Sequence, residues 1–319
     1  MPGELKTKQG VADGKRVELA TESTGARARR FRWHRWNWPA YVFVLPAVLF
    51  CVALLAYPVL YSFALSFRDA TVETFVSGDM PFVGLAQYQQ IAADPVFWKA
   101  MTNTIVFTFL SILFQFTIGF LLALYFQLSF RFRNICLSLL LIPWVTPILT
   151  SANVFKGLFN ELGPVNQFFR AVGWGIKPWL ADPNYGLIAV IVANIWIGFP
   201  FNFVLLYAGI RAIPQEIYEA AKLDGAGYWG RVFHITVPIL KPVTIAVLML
   251  GTIYTIKVFD VVWIMTGGGP ANGTHLLSTY AYQTGFSLLN FGQAAAVGAV
   301  IVLLILTINL VQFLLQRVL

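Results

Sequence analysis

A polar stretch, 219–242, separates two long apolar segments and carries residues suited to contact with another protein. The good helix formers of 215–223 follow Pro214, a residue that suits the first position of a helix, and glycine at 225 ends the predicted helix. Ala220 and Ala221 lie at the centre of one face of this helix. Because both side chains are small, another surface can approach that face closely.

A second short helix is predicted at 228–235, after Gly227. Pro238 and Pro242 follow it, and each lacks the backbone N–H that a helix interior needs. The sequence therefore predicts a helix, a glycine turn and a second short helix, with the next apolar segment beginning at the two prolines.

Two ionisable residues, Lys257 and Asp260, fall inside the fifth apolar segment. Their spacing of three places them on one face of a predicted helix. Ionisable groups at membrane depth are costly unless they are paired or turned toward water. The spacing predicts a pair that faces a cavity or a neighbouring subunit; the alternative is a pair near the outer end that holds helices together.

Amide, hydroxyl and aromatic groups in the fourth and fifth segments suit the polar edges and apolar ring faces of a neutral sugar. The residues that carry them are Asn194, Trp196, Asn202 and Tyr254. Simple packing inside the protein is the alternative for each. With Lys257 and Asp260 they form the predicted substrate pathway.

Motifs of the common enzyme classes are absent from the sequence. It has no G-x-x-x-x-G-K-[ST] phosphate loop, so any ATP hydrolysis would need another polypeptide. It also has no nucleophile elbow and no metal-ligand spacing, and its three histidines are isolated. Cys51 and Cys136 lie in apolar segments, which predicts buried free thiols and no disulfide.

The composition requires a membrane to surround the chain. Of 319 residues 58% are hydrophobic and 11% charged, and the mean hydropathy is +0.71, so polar side chains are too few to cover a soluble globule. We predict an all-α, polytopic protein with six transmembrane helices. The predicted spans are 41–66, 102–127, 134–155, 187–209, 239–264 and 293–316.

Lysine and arginine are distributed unequally between the two sides of these spans. Sixteen lie on the side of the termini, five on the other, and Lys257 lies within a span. The positive-inside rule predicts that both termini and the loop 211–238 are cytoplasmic. We expect residues 1–26 to be disordered and the Arg/Trp-rich segment 27–38 to lie at the membrane interface, so that 39–319 form the membrane domain.

Several connecting segments have recognisable signals. The external segment 67–100 predicts either a small substructure that meets an outside partner or interfacial packing, and 163–170 predicts a short amphipathic helix. The turn 266–270 predicts a mobile hinge.

Prolines at 143 and 147 and the segment 198–200 predict breaks in spans three and four. Small residues over 292–298 predict close helix packing, with a second membrane subunit as one partner.

The polar stretch resembles the EAA loop of permease subunits of binding-protein-dependent ABC importers. The matching residues are Glu219-Ala220-Ala221-x-x-Asp224-Gly225-Ala226, with Ile235, Pro238 and Pro242 downstream. Further motifs resemble the carbohydrate-uptake branch, and within it the maltose-transporter first-permease type. These are Phe82-Val-Gly-Leu with Gln87-Tyr88, Asn103-Thr, Ala212-Ile-Pro with Glu216-Ile-Tyr-Glu-Ala-Ala, and Thr266-Gly-Gly-Gly-Pro.

This resemblance implies a type I ABC importer permease (MetI-like) fold in the inner (plasma) membrane of a bacterium or archaeon. It implies three partners: a second, homologous permease, an ATPase dimer that binds ATP and Mg, and an extracytoplasmic solute-binding protein. Its EAA residues would contact the ATPase: the carboxylate of Glu219 would meet a basic residue, the two alanines would allow close approach, and Gly225 would make the turn.

The resemblance implies ATP-driven uptake of a mono-, di- or oligosaccharide. The alternatives are an importer of glycerol phosphate or another polar solute, an ion-coupled secondary transporter and a non-transporting scaffold. A secondary transporter would more typically have about twelve spans or several intramembrane carboxylates.

Overall fold

The computed structural model describes residues 38–318. The expected disordered tail, 1–26, and the interfacial segment, apart from the backbone of its last residue, lie outside the described residues. Between 38 and 318 the chain forms α-helices, three short π-helical turns and two isolated β-bridges, without a β-sheet. The all-α prediction is confirmed.

The first half of the described chain contains three long helices and several short ones. The helices are α1 (Trp38–Cys51), α2 (Tyr57–Leu65), α3 (Val72–Ser77), α4 (Ala86–Ala93), α5 (Pro95–Tyr125), α6 (Arg133–Leu140), α7 (Ile142–Val145), α8 (Ile148–Leu158), α9 (Pro164–Ala171) and α10 (Pro183–Arg211). A π-helical turn, Val52–Ala56, joins α1 to α2.

The second half alternates short helices with long ones. Its helices are α11 (Gln215–Leu223), α12 (Tyr228–Arg231), α13 (Val237–Ile256), α14 (Asp260–Met265), α15 (Leu277–Tyr282) and α16 (Phe291–Val318). π-helical turns at Val232–Thr236 and Gln283–Ser287 follow α12 and α15.

Five helical stretches of the described chain are long and apolar enough to cross a membrane. They are Tyr41–Leu65, Pro95–Tyr125, Pro183–Arg211, Tyr228–Ile256 and Phe291–Leu315. A sixth crossing is formed if the bent pair Arg133–Val145 and Ile148–Leu158 is counted as one span. All six predicted regions are therefore helical, although the second span begins at Pro95, seven residues earlier than predicted, and the fifth begins at Tyr228, eleven residues earlier.

The prediction of a break in span three is confirmed. The two halves of this span meet at an angle of 97°. Thr146 has extended backbone at the end of α7, and Pro147, which has no N–H to donate, stands at the N-cap of α8.

The predicted break in span four is wrong, because α10 runs without interruption through Pro200. A proline inside a helix removes one i→i−4 hydrogen bond, but its φ already suits the helix. Pro200 is buried, as are Asn202 and Phe203 after it. We attribute the continuity of α10 to its packing along α5, which outweighs the lost bond.

Close contact between α5 and α10 depends on one glycine from each helix. A Cβ at Gly119 of α5 would lie 2.8 Å from the backbone nitrogen of Phe203 and 2.9 Å from the Cβ of Asn202. In the reverse direction, the side chain of Gln115 lies directly over Gly198 of α10. This reciprocal arrangement fixes the two helices as a pair.

The loop 266–276, where the sequence predicts a mobile hinge at 266–270, is held by neutral hydrogen bonds in this structure, and the hinge remains a prediction. The hydroxyls of Thr266 and Thr274 lie 2.7 Å apart, and the latter donates to the carbonyl of Gly269 at 2.7 Å. From α5, the amide of Asn103 donates to the carbonyls of Gly273 at 2.9 Å and His275 at 3.0 Å. The glycines here allow close packing, while backbone carbonyls supply the acceptors.

Burial lowers the pKa of His275 in this loop. The ring lies against Gly268 and is 3% exposed, and its Nδ1 is 3.1 Å from the hydroxyl of Thr279. The environment favours a neutral imidazole, so this side chain helps to fill the interior of the loop.

The segment 67–100 contains α3 and α4 and contacts the last third of the chain. Asp94 caps α5 by accepting from the amide of Val96 at 2.8 Å, and its second oxygen accepts from the hydroxyl of Tyr280 at 2.6 Å. Burial, and then this hydrogen bond to Asp94, raise the pKa of Tyr280.

The predicted amphipathic helix is present as α9, Pro164–Ala171.

Two smaller expectations need correction. Cys51 is exposed and Cys136 half-buried; both are free, as predicted, but neither is buried within this chain. The small residues of 292–298 do not form one face, because Gly292 lies against the carbonyl of Arg68 and Ala296 is fully buried, whereas Gly298 borders a surface groove. Helical spacing distributes them around α16.

The α5–α10 contact generates a stability prediction. Gly119→Ala places a methyl group against backbone atoms of α10, and overpacking of this kind costs about 1–3 kcal/mol. Gly157→Ala is the control, since a Cβ there meets no atom within 4 Å. We expect a lower thermal unfolding midpoint for Gly119→Ala only; equal midpoints for both variants and the wild type would contradict the packing described.

Candidate functional site

The helix α11 carries the first group of predicted site residues, and a Schellman motif ends it. Gly225 has φ of +79°, in the left-handed region that favours glycine. Its amide donates to the carbonyl of Lys222 at 3.1 Å, and the amide of Ala226 donates to the carbonyl of Ala221 at 2.9 Å. The predicted end of the helix is confirmed, with Asp224 as the C-cap.

Side-chain contacts brace α11 against the helix that follows. The hydroxyls of Tyr218 and Thr236 lie 2.9 Å apart, and Arg231 donates through Nη1 to the carbonyl of Ala226 at 2.6 Å. The turn between the two helices is thereby held at both ends.

The predicted contact residues lie on an accessible surface of the chain. Exposed side chains are those of Glu219, Ala220 and Asp224, and the residues Ala221 and Ala226 are half-buried. Beside them lie large apolar side chains that a soluble surface would not normally leave in water. The most exposed of these are Leu223 at 90%, Trp229 at 59% and Phe233 at 61%.

The prediction that a short helix ends before Pro238 is wrong. Backbone helicity continues from Tyr228 through α12, the π-helical turn and α13 to Ile256. Within the turn the amide of Val237 donates to the carbonyl of Val232, five residues back. The wider π-helical ring lets the chain pass Pro238 without a loop. The part of the accessible surface from Tyr228 onward is therefore joined to span five by unbroken helix, and α11 is connected to it through the turn at Gly225.

A cavity of about 510 Å³ lies at the other end of this helix. Four of the six predicted pathway residues line it: Asn194, Tyr254, Lys257 and Asp260. Aromatic rings form much of the remaining wall, with Phe201 lying 5.8 Å from Tyr254 and 6.5 Å from Trp144, measured between ring centroids. The cavity thus combines apolar ring faces with a few polar groups, as small-molecule sites do.

Lys257 and Asp260 do not share a helical face, which corrects the sequence prediction. The helix α13 ends at Ile256 and α14 begins at Asp260, and Phe259 between them has non-helical backbone. Neither side chain has an ion-pair partner among residues 38–318. The Nζ of Lys257 instead lies 5.0 Å from the centroid of the Tyr254 ring, a cation–π contact.

Two predicted pathway residues do not line the cavity. Trp196 packs against Phe155, with ring centroids 5.5 Å apart, inside an apolar cluster. Asn202 is 2% exposed and donates to the carbonyl of Gly198 at 3.1 Å, where it supports the contact with α5. Helical spacing turns both away from Asn194.

Gln115 is a cavity residue that the sequence analysis missed. Its Nε2 donates to the carbonyl of Asn194 at 2.9 Å, and the side chain is 4% exposed. The Nδ2 of Asn194 is buried and has no hydrogen-bond partner in the described structure. Because an unmatched buried donor is costly, this amide is suited to donate to a bound molecule. The sequence signal that could have identified Gln115 as a site residue is the presence of a glutamine within an apolar predicted span.

Within residues 38–318 no group of three or more His, Cys, Asp or Glu side chains is arranged to hold a metal ion. The cavity groups are amides, one ammonium, one carboxylate and aromatic rings. This arrangement suits noncovalent binding of a polar solute with apolar ring faces.

Known proteins similar to this chain have a common description. Residues 115–319 match the family model "Binding-protein-dependent transport system inner membrane component". The chain is 33% identical to the trehalose/maltose transport system permease protein MalF of Thermococcus litoralis, over 85% of this chain and 91% of that protein. It is 32% identical to the lactose transport system permease protein LacF of Rhizobium radiobacter, over 92% and 98%.

A solved structure shares the fold. The crystal structure of a bacterial ABC transporter involved in the import of the acidic polysaccharide alginate contains a chain that superposes with a TM-score of 0.77. The match covers 88% of this chain and 96% of that one, with 23% identity. At that identity the likeness establishes the fold alone.

Proposed function

This chain belongs to the family of inner membrane components of binding-protein-dependent transport systems, and we propose that it is the permease subunit that carries a carbohydrate across the membrane in such a system. As a permease subunit of an ABC importer it is not an enzyme. The fold is that of type I importer permeases, as predicted. One observation carries the proposal: unbroken helix runs from Tyr228, directly after the turn that follows α11, to Ile256 beside the aromatic and amide-lined cavity.

The surface around α11 is proposed as the contact with an ATPase subunit. Its apolar side chains need a partner, and Ala220 allows that partner to approach closely. Glu219 and Asp224 add carboxylates for basic residues, while Gly225 and Ala226 set the turn through the Schellman motif. ATP and Mg are then bound by the partner, because this chain has no phosphate loop.

The proposed assembly contains two permeases, two ATPase subunits and a solute-binding protein. A binding protein is implied by the family itself, while the second permease and the ATPase pair complete the importer. We propose cytoplasmic termini in a multi-pass inner membrane protein, since lysine and arginine are concentrated on that side. The domain limits, 1–38 and 39–319 with a coupling loop at 211–238, remain part of this proposal.

The cavity is proposed as the substrate site. Aromatic faces of Phe201 and Tyr254 suit the apolar faces of a sugar ring, and the unpaired Nδ2 of Asn194 suits a hydroxyl acceptor. Both relatives named above are described as sugar transport permeases, of trehalose/maltose and of lactose. Lys257 and Asp260 add one charge of each sign, and Trp196 and Asn202 support the walls from behind.

The proposed ATPase contact predicts that a substitution on α11 can impair transport without impairing folding. Ala220→Phe adds bulk to an exposed face without straining the fold, so the protein should accumulate in the membrane at the normal level. ATPase co-purification and solute uptake should each fall at least about tenfold, equivalent to about 1.4 kcal/mol of lost contact. Ala220→Ser is the matched control and should behave as wild type; normal uptake and normal ATPase association in Ala220→Phe would refute the assignment.

The substrate proposal predicts a kinetic effect at Asn194. Asn194→Leu removes one hydrogen bond to bound sugar, which at about 1.5–3 kcal/mol for a well-placed polar contact corresponds to roughly a 10- to 100-fold lower uptake efficiency. Asn153→Leu is the control, because that side chain is exposed on α8 and bonds only within its helix. The measurement is sugar uptake with the complete complex; unchanged kinetics in Asn194→Leu would remove this residue from the site.

A further inference from the structure

A second cleft, of about 690 Å³, lies between α11 and the ends of neighbouring helices. Gln127 and Ser129, which follow α5, line one side, and Arg211 at the end of α10 lines another. The remaining wall comes from α11 and α12, including Lys222 and Arg231. This cleft is distinct from the substrate cavity, which shares none of these residues.

Positive charge dominates the cleft. Arg211, Lys222 and Arg231 line it, against a single lining carboxylate, Glu216. Among residues 38–318 none of the three cations has an ion-pair partner, and of the three only Arg231 makes a side-chain hydrogen bond, to the carbonyl of Ala226 at 2.6 Å. The positive-inside rule explains why basic residues occur on this side, but not why three of them line one walled space.

Neutral donors complete the lining. The polar residues Gln127, Ser129, Gln215 and Tyr228 also line the cleft. Its lining surface is more polar than apolar, whereas that of the substrate cavity is mainly apolar. Hydrogen-bond donors beside unpaired cations are the groups that bind phosphate oxygens.

We propose that this cleft binds a phosphate group, presented by an anionic phospholipid or as free inorganic phosphate. The cleft adjoins the ends of α5 and α10, two helices that cross the membrane, so it lies where lipid headgroups are found. Arginine is well suited to phosphate because its planar guanidinium can donate two parallel hydrogen bonds. Glu216, in the first turn of α11, is the single carboxylate of the lining and would repel an anion beside it. A bound phosphate would therefore contact the three cations at a distance from Glu216.

A phosphate in the cleft would connect α11 to the membrane-crossing helices. Lys222 belongs to α11, Arg211 to the end of α10, and Arg231 to α12 at the start of span five. One anion between them would offset part of the repulsion among these three like charges and would hold the proposed ATPase-contacting helix against the spans. The site therefore provides a means by which membrane composition adjusts the position of α11.

The test measures ligand retention by the complete complex in lipid nanodiscs. We would compare nanodiscs of phosphatidylcholine alone with ones that contain phosphatidylglycerol, and add inorganic phosphate to a separate phosphatidylcholine sample. Native mass spectrometry then counts bound phospholipid, and isothermal titration measures phosphate binding. The test variant is Arg211→Gln with Lys222→Gln, and Arg170→Gln on the exposed face of α9 is the control for loss of positive charge.

We expect the wild type and Arg170→Gln to retain phosphatidylglycerol, or to bind phosphate, at least tenfold more strongly than the double variant. Retention of phosphatidylglycerol would identify a lipid headgroup, and binding of inorganic phosphate alone would identify a soluble anion. Arg211→Lys with Lys222→Arg keeps both charges and should bind, which separates loss of the site from loss of folding. Equal binding by the double variant and the wild type, or binding of neither ligand by the wild type, would overturn the proposal.

Discussion

The backbone hydrogen bonds of span five are the constraint on which the rest of the structure depends. In a hydrocarbon environment each backbone N–H and C=O must be satisfied within its own helix, so this segment remains helical through two prolines. The π-helical turn Val232–Thr236 makes that possible, because the carbonyl of Val232 accepts a hydrogen bond from the amide of Val237, five residues ahead. The resulting helix of 29 residues is about 43 Å long at 1.5 Å per residue. One continuous helix therefore joins Trp229 and Phe233, beside the proposed ATPase contact on α11, to the proposed substrate cavity.

The paired helices α5 and α10 lie across the cavity from this helix. Gly119 and Gly198 let the two backbones approach closely, and Gln115 and Asn194 extend from that contact into the cavity wall. Tyr254 faces them from α13. Cavity width thus depends on the distance between α13 and the α5–α10 pair. The loop 266–276 is hydrogen-bonded to α5 through Asn103. We therefore expect a displacement of α13 to change the backbone conformation at the helix break near Phe259.

The features set by local chemistry were predictable from the sequence, and those set by packing were not. The helix at 215–223, its end at Gly225 and the break at Pro147 follow from propensity, φ preference and the missing proline N–H. The passage of α10 through Pro200 and of span five through Pro238 needed tertiary contacts and a π-helical turn. The prediction that Lys257 and Asp260 share one face assumes a continuous helix, whereas the chain leaves the helix between α13 and α14. Residue type alone predicts Asn194 and Tyr254 as pathway residues. Gln115 is identified as a cavity residue by its bond to the Asn194 carbonyl, although a glutamine within an apolar span is itself a signal in the sequence.

The most direct test of the account is the distance between the first turns of span five and the end of α5, measured with and without nucleotide. Spin labels at Phe233→Cys and Tyr125→Cys, both exposed positions, would be introduced after Cys51 and Cys136 are replaced by serine. Pulsed electron paramagnetic resonance on the complete complex then compares the nucleotide-free state with one trapped by ATP and vanadate. The account predicts a shift of the distance by several ångströms. An unchanged distance in a complex that still hydrolyses ATP would contradict it.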